Sequence, residues 1–520
     1  MGVSYADAAR LLGEPDSRIV AALDHLTGGL LLAATAAGSG FALSLFAARD
    51  EVVRLSSELL AGLEGRLRGL DRFSRSERLA AAHAIVVLVA YFDSLADAEL
   101  PFAARDLELK KSEQVALAGA EVASGRLRDL AEALLRSEVP MPAPERPYEA
   151  TVQVLRGYYA RLSDQLLQYV SGLAVYERLD ETRRERFAET VSQSVPYRAV
   201  ARYEESFRQL AVDFPEFAFW ANLVDQQATR EQIRQLRTGL QGLELALSGM
   251  VSGRAPDERR AALWRAYQAP LTRAVLATRV APEGLTVPSL GRAYVNPDFR
   301  VAANSLAEHL GEESTWADEP VRNDLAGFLA GYLTSPGATK APLIVLGQPG
   351  SGKSVLTQMM AARLPADQFL VVRVVLRDVA ADEEVQAQIE HGVRAVTGES
   401  LAWPDLARTA GDALPVVLLD GFDELLQATG VSQADYLKKV AEFQDREATQ
   451  GRPVAVVVTS RIAVADRALP AAGMVAIRLE PFREAQVGEW LQMWNQANAE
   501  DSPGEVCSRC RCTRCSRTPN

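Results

Sequence analysis

The sequence predicts a multidomain protein, an all-α N-terminal region followed by an α/β region with a parallel sheet flanked by helices. Three observations predict it. Apolar residues recur at three- and four-residue spacing through most of the first 280 positions, which is the period of amphipathic helices. Beyond residue 300, short β-branched runs alternate with helical pattern, the rhythm of strand–helix–strand units. Between the first of those runs and the next helical pattern lies a glycine-rich loop, residues 347–354.

Length and composition agree. At roughly 100–200 residues per domain, 520 residues imply two to four units. A hydrophobic content of 48% with 24% charged residues is that of a soluble globular chain, and abundant Leu and Ala with only 7% aromatics favour helix. The net charge of −12 and the lack of a long basic run give no sign of a nucleic-acid partner. All four cysteines lie between Cys507 and Cys515, not spread as a disulfide framework would be, so a reducing cytoplasm is expected. Residues 1–25 carry Asp7, Glu14, Asp16 and Asp24 without a basic start, so no signal peptide is expected.

In order along the chain, residues 1–138 read as a helical bundle. Val52, Leu55, Leu59, Leu63, Leu67 and Leu70 fall on one helix face, and Ser74 with Glu77 forms a capping box ahead of the apolar run Leu79 to Phe92. The stretch Leu26 to Ala48 is uncharged and long enough to span a bilayer. Its glycines at 28, 29, 38 and 40 break it, so it reads as a buried helical hairpin, with a membrane span as the alternative. Residues 139–148 are a proline-rich break. Residues 149–280 are a second helical part, in which Tyr158, Tyr159, Leu162, Leu166, Tyr169 and Leu173 form a stripe read as core. Residues 281–300 are a linker and 301–498 the α/β domain. There a helical stretch is expected from Pro297 to Tyr332, then strands at 343–346, 369–376, 416–419 and 454–458. His25, His83, His309 and His391 have no ligand spacing, His83 reading as a core residue. No Ser-His-Asp or Cys-His signature marks the N-terminal region as a hydrolase.

Three motifs carry chemistry. Gly347-Gln348-Pro349-Gly350-Ser351-Gly352-Lys353-Ser354, followed by Val355, fits G-x-x-x-x-G-K-[ST] between a strand and a helix. Glycines let backbone N–H groups wrap phosphate oxygens, and the helix N-terminus adds its dipole. Lys353 can reach the β- and γ-phosphates and Ser354 can ligate Mg²⁺. The α/β part is therefore read as a P-loop NTPase that binds ATP or ADP with Mg²⁺. In the second motif an apolar strand delivers Asp420 at its C-terminal end, where a carboxylate can complete the Mg²⁺ shell. Asp423 or Glu424 can then order or deprotonate the attacking water, and the bland reading of the pair is an acidic helix cap. The third is Thr459-Ser460-Arg461 at the end of another strand, where Arg461 can sense the γ-phosphate or be an ordinary surface arginine.

With these motifs the chain resembles the NACHT family of STAND NTPases, the switch ATPases that include NOD-like receptors. Asp420-Gly421-Phe422-Asp423-Glu424 matches the family's small residue after the Walker B aspartate and the acidic pair beyond it. Thr459-Ser460-Arg461 is similar to its sensor 1 segment, Leu479-Glu480-Pro481-Phe482 with Trp490 and Trp494 to the start of its helical lid, and Tyr294-Val295-Asn296-Pro297 to the extended segment before the module. The resemblance covers about 200 residues, and the helical N-terminal region looks like the domains that precede NACHT in bacterial proteins. It implies an ADP-bound resting state, sensing of a trigger ligand, exchange for ATP, homo-oligomerisation, slow hydrolysis and a role in antiphage defence.

The resemblance also implies a winged helix and a sensor domain after Trp494, whereas this sequence ends at Asn520. Residues 499–520 are rich in Cys and Arg and read as an out-of-frame or truncated tail, with a zinc site on Cys507, Cys510, Cys512 and Cys515 as the lesser reading. A signalling switch is the expected function. A steady-turnover remodeller and a membrane effector acting through 26–48 are the alternatives.

Overall fold

The computed structural model describes scattered positions between 79 and 98, residues 139–222 with few gaps, Leu240, Leu247, and 257–499 with short gaps, the longest being 276–285 and 303–308. The expected hairpin at 26–48, the Val52–Leu70 face, the Ser74 capping box and the cysteine tail lie outside these residues. The chain forms two compact units, Met1–Arg230 with Ala330–Pro336, and Glu231–Leu329 with Gly337–Asn520.

The first unit is helical in its described parts. After the proline break come α1 (Tyr148–Ser171), α2 (Glu181–Glu189), α3 (Val195–Asp213) and α4 (Pro215–Trp220). Asp180 caps α2, accepting the Arg183 N–H at 2.8 Å, a contact that contributes about 1 kcal/mol. Between α2 and α3 the chain makes a π turn, Thr190–Ser194, with the Val195 N–H donating to the Thr190 carbonyl. The cause follows at once: Pro196 has no N–H for an α-helical bond, and the wider turn takes up the mismatch. Leu79, Val87 and Tyr91 pack with Leu155, Tyr159, Leu162, Phe207, Phe217 and Trp220 in one core. Each such side chain contributes about 2–3 kcal/mol when fully buried. The Tyr159 hydroxyl donates to the Val87 carbonyl at 2.8 Å, and Tyr91 and Ser163 share a hydrogen bond of 2.9 Å. The Tyr159 and Tyr91 hydroxyls are thereby satisfied inside an apolar interior.

The second unit is built on six strands in the order β1-β6-β2-β5-β4-β3. They are β1 (Phe299–Ala302), β2 (Leu343–Gly347), β3 (Phe369–Val375), β4 (Leu414–Asp420), β5 (Ala455–Arg461) and β6 (Val475–Leu479). Five run parallel, and their near-continuous apolar sequences match burial on both faces. β1 runs antiparallel to β6, Phe299 opposite Leu479, so the sheet is mixed. This corrects the helical reading of the stretch after Pro297. Four residues are too few to show a period, and it is pairing with β6 that makes them a strand.

This part of the chain also forms α5 (Glu258–Gln268), α6 (Glu313–Ala317), α7 (Leu325–Thr334), whose residues from Ala330 belong to the first unit, α8 (Lys353–Arg363), α9 (Val385–Thr397), α10 (Trp403–Arg408), α11 (Phe422–Thr429), α12 (Tyr436–Thr449) and α13 (Glu484–Ala499). The sequence reading groups α5 with the N-terminal region. In the structure α5 packs on α8, α9 and β3. Arg260 donates to the Ala410 carbonyl at 2.7 Å, Gln268 to the Ala362 carbonyl, and the Tyr267 hydroxyl accepts the Arg373 N–H at 2.9 Å. Among the described residues no helix is long and apolar enough to cross a membrane.

Candidate nucleotide site

The site forms where β2, β4 and β5 end. β2 is buried along its whole length and releases the chain at Gly347 into an exposed loop. The loop closes on Gly352, at φ +89°, which is the N-cap of α8. A side chain would be strained at that angle, and no side chain caps the helix. The first-turn N–H groups are therefore left without a side-chain cap, the arrangement that suits an anion. The Lys353 ammonium folds back over this loop, donating to the Gly347 carbonyl at 2.9 Å and the Gln348 carbonyl at 3.0 Å. Burial pushes the Lys353 pKa down; Asp423 pulls it up, Arg461 pushes it down, and Asp420 and Glu424 raise it.

Strand order brings the other motifs to this loop. β5 lies between β2 and β4, with Gly347 opposite Arg461 and Val345 opposite Thr459. Thr459 thus reaches the Walker B position from the neighbouring strand. Its hydroxyl donates to Asp420 Oδ1 at 2.8 Å and accepts the Gly421 N–H at 2.9 Å. The Ser354 hydroxyl donates to the same Oδ1 at 3.2 Å. Asp423 and Glu424 sit in the first turn of α11. Asp423 is buried and paired with Arg461, Nε to Oδ2 2.7 Å, while Arg461 is more than a third exposed.

Of the residues singled out in the sequence, Lys353, Ser354, Asp420, Asp423, Glu424 and Arg461 converge here, with Gly347, Gln348, Pro349, Gly350, Ser351, Gly352 and Val355 forming the loop and first helical turn. Ser354 Oγ and Asp420 Oδ1 are hard oxygen atoms 3.2 Å apart, the type of donor that suits Mg²⁺. The residues present therefore fit that cation.

One residue escaped the sequence reading. Arg373, in the middle of β3, places its NH2 2.5 Å from Asp420 Oδ2 and donates from Nε to Thr357 Oγ1 at 3.0 Å. The signal was there: Arg373 is the one charged residue in Phe-Leu-Val-Val-Arg-Val-Val, a strand otherwise apolar on both faces.

Residues 2–225 match the model of a known family, NACHT N-terminal Helical domain 7. The match supports a NACHT-type protein with an N-terminal helical domain. No curated protein was found to match it. The matched residues coincide closely with the N-terminal segment of the first compact unit, Met1–Arg230. The loop, the acidic strand end and the sensor strand all lie in the second unit.

Proposed function

We propose that this NACHT-type chain binds ATP and ADP with Mg²⁺ at residues 347–355 and works as a slow signalling switch. The observation that carries the reading is the convergence of Lys353, Ser354, Asp420, Asp423 and Arg461 at one end of the sheet. In this reading the α8 N–H groups and Lys353 hold the phosphates, and Ser354 and Asp420 hold Mg²⁺, which would offset the phosphate charge. Asp423 or Glu424 orients the water, and Arg461 reads the γ-phosphate.

The Arg461–Asp423 pair supports a switch over a steady motor. Arg461 Nε is held on Asp423 Oδ2, so the two groups are linked before any nucleotide arrives. A γ-phosphate would draw Arg461 away and release the Asp423 carboxylate. A trigger ligand, homo-oligomerisation on activation, a cytoplasmic setting and a role in bacterial antiphage immunity belong to the same proposal. They rest on the family and not on the site geometry.

The test is nucleotide binding by the full chain. Lys353→Ala should weaken ATP affinity by at least about tenfold, the loss of one charge-assisted contact. Unchanged ATP binding by that variant would sink the phosphate assignment. ADP retained through purification at near one per chain would favour the switch over the remodeller.

A further inference from the structure

Asp420 is held from two sides by different kinds of donor. Its Oδ1 accepts two neutral hydroxyls, from Ser354 and Thr459. Its Oδ2 accepts a full positive charge, the Arg373 guanidinium. That guanidinium is largely buried, and the carboxylate is almost wholly so. It is also braced: Thr357 of α8 accepts its Nε–H, and the Tyr267 hydroxyl of α5 accepts the Arg373 backbone N–H. The braces hold the cation on the one carboxylate that the nucleotide reading gives to Mg²⁺.

The site's charges balance before anything binds. Lys353, Arg373 and Arg461 oppose Asp420, Asp423 and Glu424, and Lys353 feels the field of most of them. A divalent cation arriving beside Asp420 meets a carboxylate already neutralised and a buried positive charge against its other oxygen. Charges this close, screened little by water, interact strongly. We propose that Arg373 is a positioning residue acting through Asp420: an internal counter-ion that competes with Mg²⁺ and lets nucleotide rest in the site with little dependence on metal. This rests on the nucleotide reading above. A competing role, in which Arg373 merely orients Asp420 for the metal, predicts a shift of the opposite sign.

The experiment is a titration of fluorescent ADP binding to the full chain, in EDTA and across Mg²⁺ concentrations, with Mn²⁺ binding followed by EPR. Arg373→Gln removes the charge and keeps an amide donor; Arg373→Lys keeps the charge. The Mg²⁺ concentration for half-effect should fall by about tenfold or more in Arg373→Gln, Mn²⁺ should bind correspondingly tighter, and Arg373→Lys should stay near wild type. Thr357→Val, which frees the guanidinium without removing it, should shift in the same direction by less, and it serves as the test if Arg373→Gln does not fold. A wild type that binds ADP while the charge-removing or unbracing variant shows an unchanged or weaker metal dependence would overturn the counter-ion role and leave the nucleotide site standing. A wild type that binds no ADP with or without metal would overturn both.

Discussion

Gly421 follows Asp420 with φ +90°, a conformation that costs an L side chain roughly 1–2 kcal/mol. The turn it makes sends β4 straight into α11, so that Asp420 and Asp423 open on the same site. The small residue after the Walker B aspartate is thus a backbone requirement and not a matter of space: an added Cβ would meet only the end of the Glu424 side chain, at 3.3 Å. Gly421→Ala should lower stability by about 1–2 kcal/mol, read as a drop in thermal midpoint, and should disturb nucleotide binding along with it. A variant as stable as wild type would show that the turn relaxes freely. At this scale the sequence was readable wherever a motif fixes the residue type. Arg373 and Thr357 were missed because their roles come from pairing across the sheet and from a neighbouring helix, which no spacing in the chain expresses.

Among elements, α12 shows how a buried charge is kept. Glu447 is 1% exposed, and its carboxylate accepts from Trp403 Nε1 at 3.1 Å and from Arg452 Nε and NH2 at 2.8 and 3.2 Å. Glu447→Ala would leave the Trp403 N–H and the Arg452 guanidinium without their acceptor, and a loss of about 3–5 kcal/mol is expected in urea unfolding. A loss below about 1 kcal/mol, the range of surface pairs, would mean that the network is open to water. The strands of the central sheet were legible because burial on both faces writes itself as unbroken Val, Leu and Ile. β1 was not, since its place at the edge depends on the register with β6, far along the chain. α5 shows the same limit. Its amphipathic pattern says that it packs, and only the contacts of Arg260, Tyr267 and Gln268 say on which core.

For the molecule as a whole, the core of the first unit carries an acid sensitivity. His83 is fully buried, its Nε2 2.8 Å from the Tyr203 hydroxyl, and burial pushes its pKa down to about 3. Unfolded, it titrates near 6.5. Between those values the unfolded chain takes up a proton that the folded core refuses. This contribution to stability is therefore complete above pH 6.5 and is lost as pH falls toward 3, at up to about 1.4 kcal/mol per pH unit. Acid unfolding followed by circular dichroism should become less steep below pH 6.5 in His83→Leu; an unchanged slope would remove His83 from the account. The sequence by itself determined the helical first part, the alternation of strand and helix in the second, the glycine-rich loop and the acidic strand end, because period and motif are local properties written along the chain. Tertiary structure alone decided the strand order that sets β5 between the loop and Asp420, the pairing of Arg461 with Asp423, and the cation that Arg373 lays against Asp420. Those depend on which distant segments meet, and the free energy of that choice lies in packing and burial, which a linear pattern only bounds.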